Sequence, residues 1–243
     1  MLEGGDDNGD DHAAAVVTAE NGKRSWYRAD GELHRDGDRP AVIWVNGLRE
    51  WWTNGKRHRE DDLPAVTHQN GHREWWYHGQ RHRGGDLPAE IRSDGSREWW
   101  LNGKQHRDGD LPAEIRSDGT QLWFKHGKWH RDNDLPARIE ADGSQEWYQN
   151  NERHRDGDLP AVILTNCRFR QCMRYDGLTT NNNWFHGWYK NGNRHRDGDQ
   201  PAIVCASGMR AWYQNDGRHR DGDLPAEIWA DGSQMWYKHG KIA

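Results

Sequence analysis

All eight prolines of this chain occupy one motif, at Pro40, Pro64, Pro88, Pro112, Pro136, Pro160, Pro201 and Pro225. They recur every 24 residues except for one interval of 41, which is one period plus a 17-residue insertion. A fixed period of this length marks an architecture in which each unit buries its surface against its neighbours. The clearest unit, Ala113 to Pro136, reads AEIRSDGTQLWFKHGKWHRDNDLP. Domain boundaries follow from the period. Residues 1–20 lie outside it, hold six acidic residues and no Lys or Arg, and are expected to be a disordered acidic tail. Residues 21–243 form the repeat domain, with an inserted segment at about 164–183.

Composition decides what such units can bury. Leu, Ile, Val and Phe together make up only about 13% of the chain. The formal net charge is just −5, however, and 16 Trp supply apolar surface that the aliphatics do not. A Trp buries on the order of 200 Å², so the core has to be built of indole. The same arithmetic excludes other classes. No apolar run approaches the roughly 20 residues of a membrane helix, and the first residues, MLEGGDDNGDDHAAAVV, lack a basic stretch followed by an apolar one. Residence in the cytoplasm is the expectation, meaning host cytoplasm or virion for a viral protein. Lys+Arg 34 against Asp+Glu 39 leaves no nucleic-acid footprint.

Turn chemistry sets the local structure. Segments between Gly-containing turns are five to eight residues long, which suits short antiparallel strands and not helices. The fold class expected is therefore all-β, an elongated antiparallel meander or solenoid of about eight to nine hairpin repeats. Pro-Ala-x-Ile-x-x is read as the first strand and Ser-x-x-Trp-aromatic-x as the second. A two-residue loop at Asp94-Gly95 would set Ile91 opposite Glu98. A three-residue loop with a G1 bulge sets Ala89 opposite Trp99, and register follows burial. The second register is preferred. It predicts Trp51, Trp75, Trp99, Trp123, Trp147, Trp188, Trp212 and Trp236 as a core ladder, with Ala and Ile beside them. The second aromatics, Trp52, Trp76, Trp100, Phe124 and Tyr148, then share an outer face with Glu98-type residues and are a candidate interaction face.

Every unit also carries His-Arg followed three residues later by Asp. The residue before that Asp is Gly, Asn or Asp, the types that best tolerate a left-handed backbone. His58, Arg59 and Asp62; His82, Arg83 and Asp86; His106, Arg107 and Asp110; His130, Arg131 and Asp134; and His154, Arg155 and Asp158 are read as a turn and salt-bridge ladder. His-Arg-Asp also occurs in protein-kinase catalytic loops, but an active site is built once and no Gly-rich loop, partner Lys or Asp-Phe-Gly accompanies it. Recurrent His and Asp could meet as calcium ligands do in β-rolls, yet the first Asp becomes Glu60 in one copy and Gly84 in another. Cys167 and Cys172 of the insertion, a Cys-x₄-Cys pair, are weighed as zinc ligands together with His186 and Cys205, and a loop excursion is the preferred reading of that segment. No catalytic residue, metal site or cofactor is assigned.

Trp99-Trp100-Leu101-Asn102-Gly103-Lys104-Gln105-His106 and Ile139-Glu140-Ala141-Asp142-Gly143-Ser144 resemble MORN-type repeats. The HRDGDLPA variant is similar to repeat proteins of giant DNA viruses of amoebae. The resemblance covers roughly residues 21–243 and implies scaffolding and contact with other proteins. The function expected is thus a non-catalytic scaffold for protein–protein interaction, through the aromatic face or the insertion, with self-association left open. The alternative is a multisite module for carbohydrate, choline-like cations or lipid headgroups.

Overall fold

The computed structural model describes residues 15–165 and 184–243. The architecture is all-β: 34 short antiparallel strands and no helix among the described residues. Eighteen strands belong to meander pairing, and the others form two-stranded hairpins. Two compact units divide the chain, Met1–Lys104 and Gln105–Ala243. In the first, Ala15–Thr18, Arg24–Tyr27, Val42–Ile43, Arg49–Glu50, Val66–Thr67, Arg73–Glu74, Glu90–Ile91 and Arg97–Glu98 pair in chain order. In the second, the same order runs from Glu114–Ile115 to Gln234–Met235. Ala15–Thr18 falls within the segment assigned to the tail. Its apolar Val16 and Val17 pair with Trp26 and Ser25.

The register is that of the three-residue loop: Glu90 pairs with Glu98 and Ile91 with Arg97. Gly95, at φ 88°, closes the bulge, and the Arg92 N–H donates to the Ser96 carbonyl. The expected second strand, in contrast, is two strands. At Trp26, Trp51, Trp75, Trp123, Trp147, Trp188 and Trp212 the Trp N–H donates to the alanine carbonyl of the next repeat, as Trp75 does to Ala89 at 2.8 Å, and the chain then leaves the meander. The residues that follow form a separate hairpin, Trp76–Tyr77 with Gln80–Arg81. Its turn, His78-Gly79, has both residues left-handed, at φ 45° and 83°. That is the type I′ geometry matching strand twist.

Burial departs from the expected faces. Ala41, Ala65, Ala89, Ala113, Ala137, Ala161, Ala202 and Ala226 are fully buried, and most of the invariant Trp are buried with an edge left 5–8% exposed. Trp188 is half-buried, and Trp236 is 42% exposed. Most of the isoleucines of the first strand, such as Ile91, are only half-buried, whereas Ile203 is buried. The glutamates assigned to the outer face are inside: Glu50, Glu90, Glu98, Glu114, Glu146 and Glu227 are all at most 7% exposed. The second aromatics and arginines lie over them and supply the hydrogen bonds that a buried carboxylate demands. Glu50 accepts from the indole N–H of Trp44 at 3.0 Å and Trp52 at 2.9 Å, and from Arg57 at 3.1 and 3.2 Å.

The insertion leaves the framework untouched. Val162–Leu164 pairs with Phe185–Gly187 on either side of it, above the one largely aliphatic cluster, which includes Val162, Phe185, Ile203, Cys205 and Met209.

Candidate functional site

In six of the eight HRDGDLP-type loops the shape is set by a pair of consecutive left-handed residues. Gly109 and Asp110 lie at φ 74° and 54°, and Asn133 and Asp134 at 60° and 53°. The left-handed Asp turns its carbonyl toward the Trp thirteen residues on. Trp51, Trp75, Trp99, Trp123, Trp147 and Trp236 donate their indole N–H to Asp38, Asp62, Asp86, Asp110, Asp134 and Asp223 at 2.9–3.2 Å. Asp158 and Asp199 are not among the described left-handed residues. The indole N–H groups of Trp188 and Trp212, which would face them, are buried without an acceptor.

The arginine of six loops (Arg59, Arg83, Arg131, Arg155, Arg196 and Arg220) makes three contacts at once. Arg59 lies over Trp51 of its own repeat, Cζ 3.8 Å from the ring centre. Its Nη1 donates to the Pro64 carbonyl, and Nε and Nη2 donate to both oxygens of Asp38, twenty-one residues earlier. Arg83 with Asp62 and Trp75, Arg131 with Asp110 and Trp123, and Arg220 with Asp199 and Trp212 repeat the arrangement. Arg155 reaches Asp134 through Nε alone, at 3.2 Å to each oxygen. The invariant Asp thus pairs across repeats and not within its own loop. Hydrogen bonding from Arg59, Arg83 and Arg131 holds the carboxyls of Asp38, Asp62 and Asp110 below the ordinary carboxylate range against a weaker opposing effect of burial. Across the insertion the same pair survives, Arg196 with Asp158, thirty-eight residues apart.

The histidine of each loop is a second link. Nδ1 of His34, His58, His82, His106, His130, His154, His195 and His219 accepts the backbone N–H of the first turn residue of the next repeat, from Asn54 to His239. An Nδ1 that accepts leaves the proton on Nε2. Where the residue two positions on is acidic, Nε2–H donates to it: His58 to Glu60 at 2.8 Å and His130 to Asp132 at 2.8 Å. In the seven loops where both contacts are made, both ring nitrogens are committed and the histidine keeps no lone pair to act as a base. His82, followed two residues on by Gly84, makes the backbone contact. The loops leave open clefts between successive repeats. One of about 550 Å³ lies between His154–Leu159 and His195–Gly198, and one of about 250 Å³ between His34–Asp38 and His58–Asp61.

The second aromatics are half-buried and interleaved with guanidinium groups. Arg57 lies 5.1 Å from the Trp52 ring and 5.2 Å from Trp76, and Arg81 lies 5.2 Å from Trp76 and 4.9 Å from Trp100. In the second unit Trp129 takes the arginine's place between Phe124 and Tyr148, at 4.8 and 5.1 Å. Arg153 then stands between Tyr148 and Tyr189. Burial, together with the neighbouring Glu146 carboxylate, pushes the Tyr148 hydroxyl up to about 12. Cys167 and Cys172 lie outside the described residues, whereas Cys205 is buried and half-buried His186 is held below its usual range by burial.

Two features escaped the sequence reading. The leucines of the Asp-Leu-Pro step point outward and stay exposed. His68, His72 and Glu74 converge in one repeat only, a grouping that the His-x₃-His-x-Glu spacing around Asn70-Gly71 could have flagged. No family model matches the chain and no curated protein matches it at a significant level.

Proposed function

We propose that this protein is a non-catalytic repeat scaffold of the MORN-like kind that binds other proteins, and that its partner seats on the row of HRDGDL loops. The observation carrying this reading is which apolar groups stay at the surface. Indole faces, where a sugar or a quaternary ammonium would stack, are already covered by the chain's own arginines. Leu63 and Leu87 in the first unit, and Leu111, Leu135, Leu159 and Leu224 in the second, stay 37–46% exposed at the same position of a repeated loop. A scattered exposed leucine needs no explanation, but one returned to the surface in six of the eight copies, with Arg39 and Gln200 in the other two, is an interface feature. Exposed carboxylates accompany these leucines, including Glu60, Asp108, Asp132, Asp156 and Asp221. A partner surface of apolar side chains flanked by Lys or Arg fits both. Catalysis has little support, since seven of the eight repeated histidines have spent both nitrogens on the backbone and on carboxylates.

The test is affinity capture with crosslinking on three versions of the full chain. One is unaltered, one carries Leu63→Ser, Leu87→Ser, Leu111→Ser and Leu135→Ser, and one has residues 165–184 replaced by the Ser-Asp-Gly loop of other repeats. The leucine variant should lose its crosslinked partner while the loop replacement keeps it. Loss on loop replacement alone would move the interface to the insertion and overturn this reading.

A further inference from the structure

One side-chain cluster breaks the repeat symmetry. His68 and His72 flank the tight loop Gln69–Gly71, and the His68 N–H donates to the His72 carbonyl at 2.9 Å. That bond makes the two residues neighbours across a hairpin, and their rings stack with centres 4.7 Å apart and planes 13° from parallel. Glu74 follows His72 by two residues on the same strand, so the strand's alternation puts it on the same side. The ligand atoms of His68, His72 and Glu74 all lie within 4.8 Å of one another. Other repeats carry Arg92 and Ser96, Arg116 and Thr120, or Glu140 and Ser144 at the two histidine positions. Whatever this cluster does is done once per chain.

The surroundings fix its orientation. Glu74 Oε2 accepts from the Trp76 indole N–H at 2.8 Å and from Arg81 at 2.9 Å. Its other oxygen, Oε1, faces His72 Nε2 at 3.6 Å. That nitrogen is buried and makes no hydrogen bond of acceptable geometry, although Glu90 Oε1 stands 3.2 Å away. Glu90 is itself held by Arg81 and by Arg92. The carboxylate left to act as a ligand is therefore Glu74, with its second oxygen anchored as outer-shell partners anchor metal ligands.

We propose that His68, His72 and Glu74 bind one divalent transition ion of the zinc class. Two imidazoles and one carboxylate are a ligand set that zinc accepts with water in its fourth position. Bond lengths of about 2.0–2.2 Å bring tetrahedral ligand atoms to roughly 3.3 Å apart. Rotation of the two half-buried histidine rings by about 1 Å closes the difference. The bound ion would pin the hairpin turn of this one repeat and mark it chemically among otherwise similar copies.

The experiment is titration of the full chain with Zn²⁺ by calorimetry and with Co²⁺ by visible absorption. A Cys167→Ser/Cys172→Ser/Cys205→Ser background keeps thiolates silent. One equivalent should bind, with the intense d–d bands of tetrahedral cobalt, and the His68 and His72 ring resonances should shift. The variant His68→Arg/His72→Ser installs what the following repeat carries as Arg92 and Ser96, so the fold has a precedent for it. It should melt as the parent does without metal and lose the saturable equivalent. Absence of a saturable equivalent in the parent, or its persistence in the double variant, would overturn the assignment.

Discussion

Arg131 grips Asp110 of the preceding repeat with two hydrogen bonds, 2.7 Å from Nε and 3.0 Å from Nη2, while its guanidinium plane covers Trp123 at 3.8 Å. One side chain thus caps the indole of its own repeat and clasps the one before. The Asp it holds also presents its backbone carbonyl to Trp123. Apolar packing, a cation–π contact and a bidentate ion pair meet at each junction of this kind, which is how a chain poor in aliphatic residues holds neighbouring repeats together.

Removing a buried carboxylate should cost more than removing any exposed ion pair. Glu50 is acceptor for Trp44, Trp52 and Arg57. Glu50→Ala strands the two indole donors and removes the partner of the partly exposed Arg57, so it should destabilise the chain by about 1–3 kcal/mol. Glu50→Gln, which keeps an acceptor, should cost less. Urea denaturation of the two variants checks the order.

The turn at Gly109 discriminates between side chains in a way the chain itself has rehearsed. Gly109 is left-handed at φ 74°, and its counterparts Asp61 and Asn133 are at 56° and 60°. Gly109→Asn should be nearly neutral, whereas Gly109→Val should destabilise by roughly 1–2 kcal/mol, the cost of a β-branched residue in this region. Equal effects in thermal denaturation would refute the turn assignment.

Much of this was legible before any coordinates. Period, bulged-loop register and the left-handed residue before each Asp follow from Gly, Asn, Asp and Pro, whose backbone preferences are local. The partner of each Asp was not legible. Arg107 and Asp110 are close in sequence, but Asp110 faces Arg131 of the following repeat, a pairing fixed by how repeats stack and not by sequence distance. The faces were misjudged for a related reason. Alternation puts Glu98 opposite Glu90 and reads as a solvent face, and only the Trp100 and Arg92 groups folded over Glu98 convert it into an interior. Exposure of the leucines and convergence at His68 depend on such tertiary arrangements too.

Acid should loosen the clasps. The carboxyls of Asp62 and Asp110 are depressed in the folded chain, chiefly by hydrogen bonds from Arg83 and Arg131. A depressed carboxyl stabilises the fold above its unfolded value, near pH 4, and that contribution is lost as pH falls through the folded value. The carboxylates are half exposed, so each pair contributes no more than about 1 kcal/mol. Carbon-detected NMR titration should find Asp62 and Asp110 protonating later than an ordinary Asp as acid is added. Midpoints at or above the ordinary Asp value would contradict the clasp.

The most direct test of the inter-repeat clasp is a pair of double-mutant cycles in urea. Arg131→Ala with Asp110→Ala removes a pair joined across repeats, whereas Arg131→Ala with Asp134→Ala removes residues of one loop whose partners lie elsewhere. The first cycle should return a coupling energy of roughly 1 kcal/mol and the second a value near zero. Coupling confined to Arg131 and Asp134, with none between Arg131 and Asp110, would contradict the clasp and with it this account of how the repeats are held together.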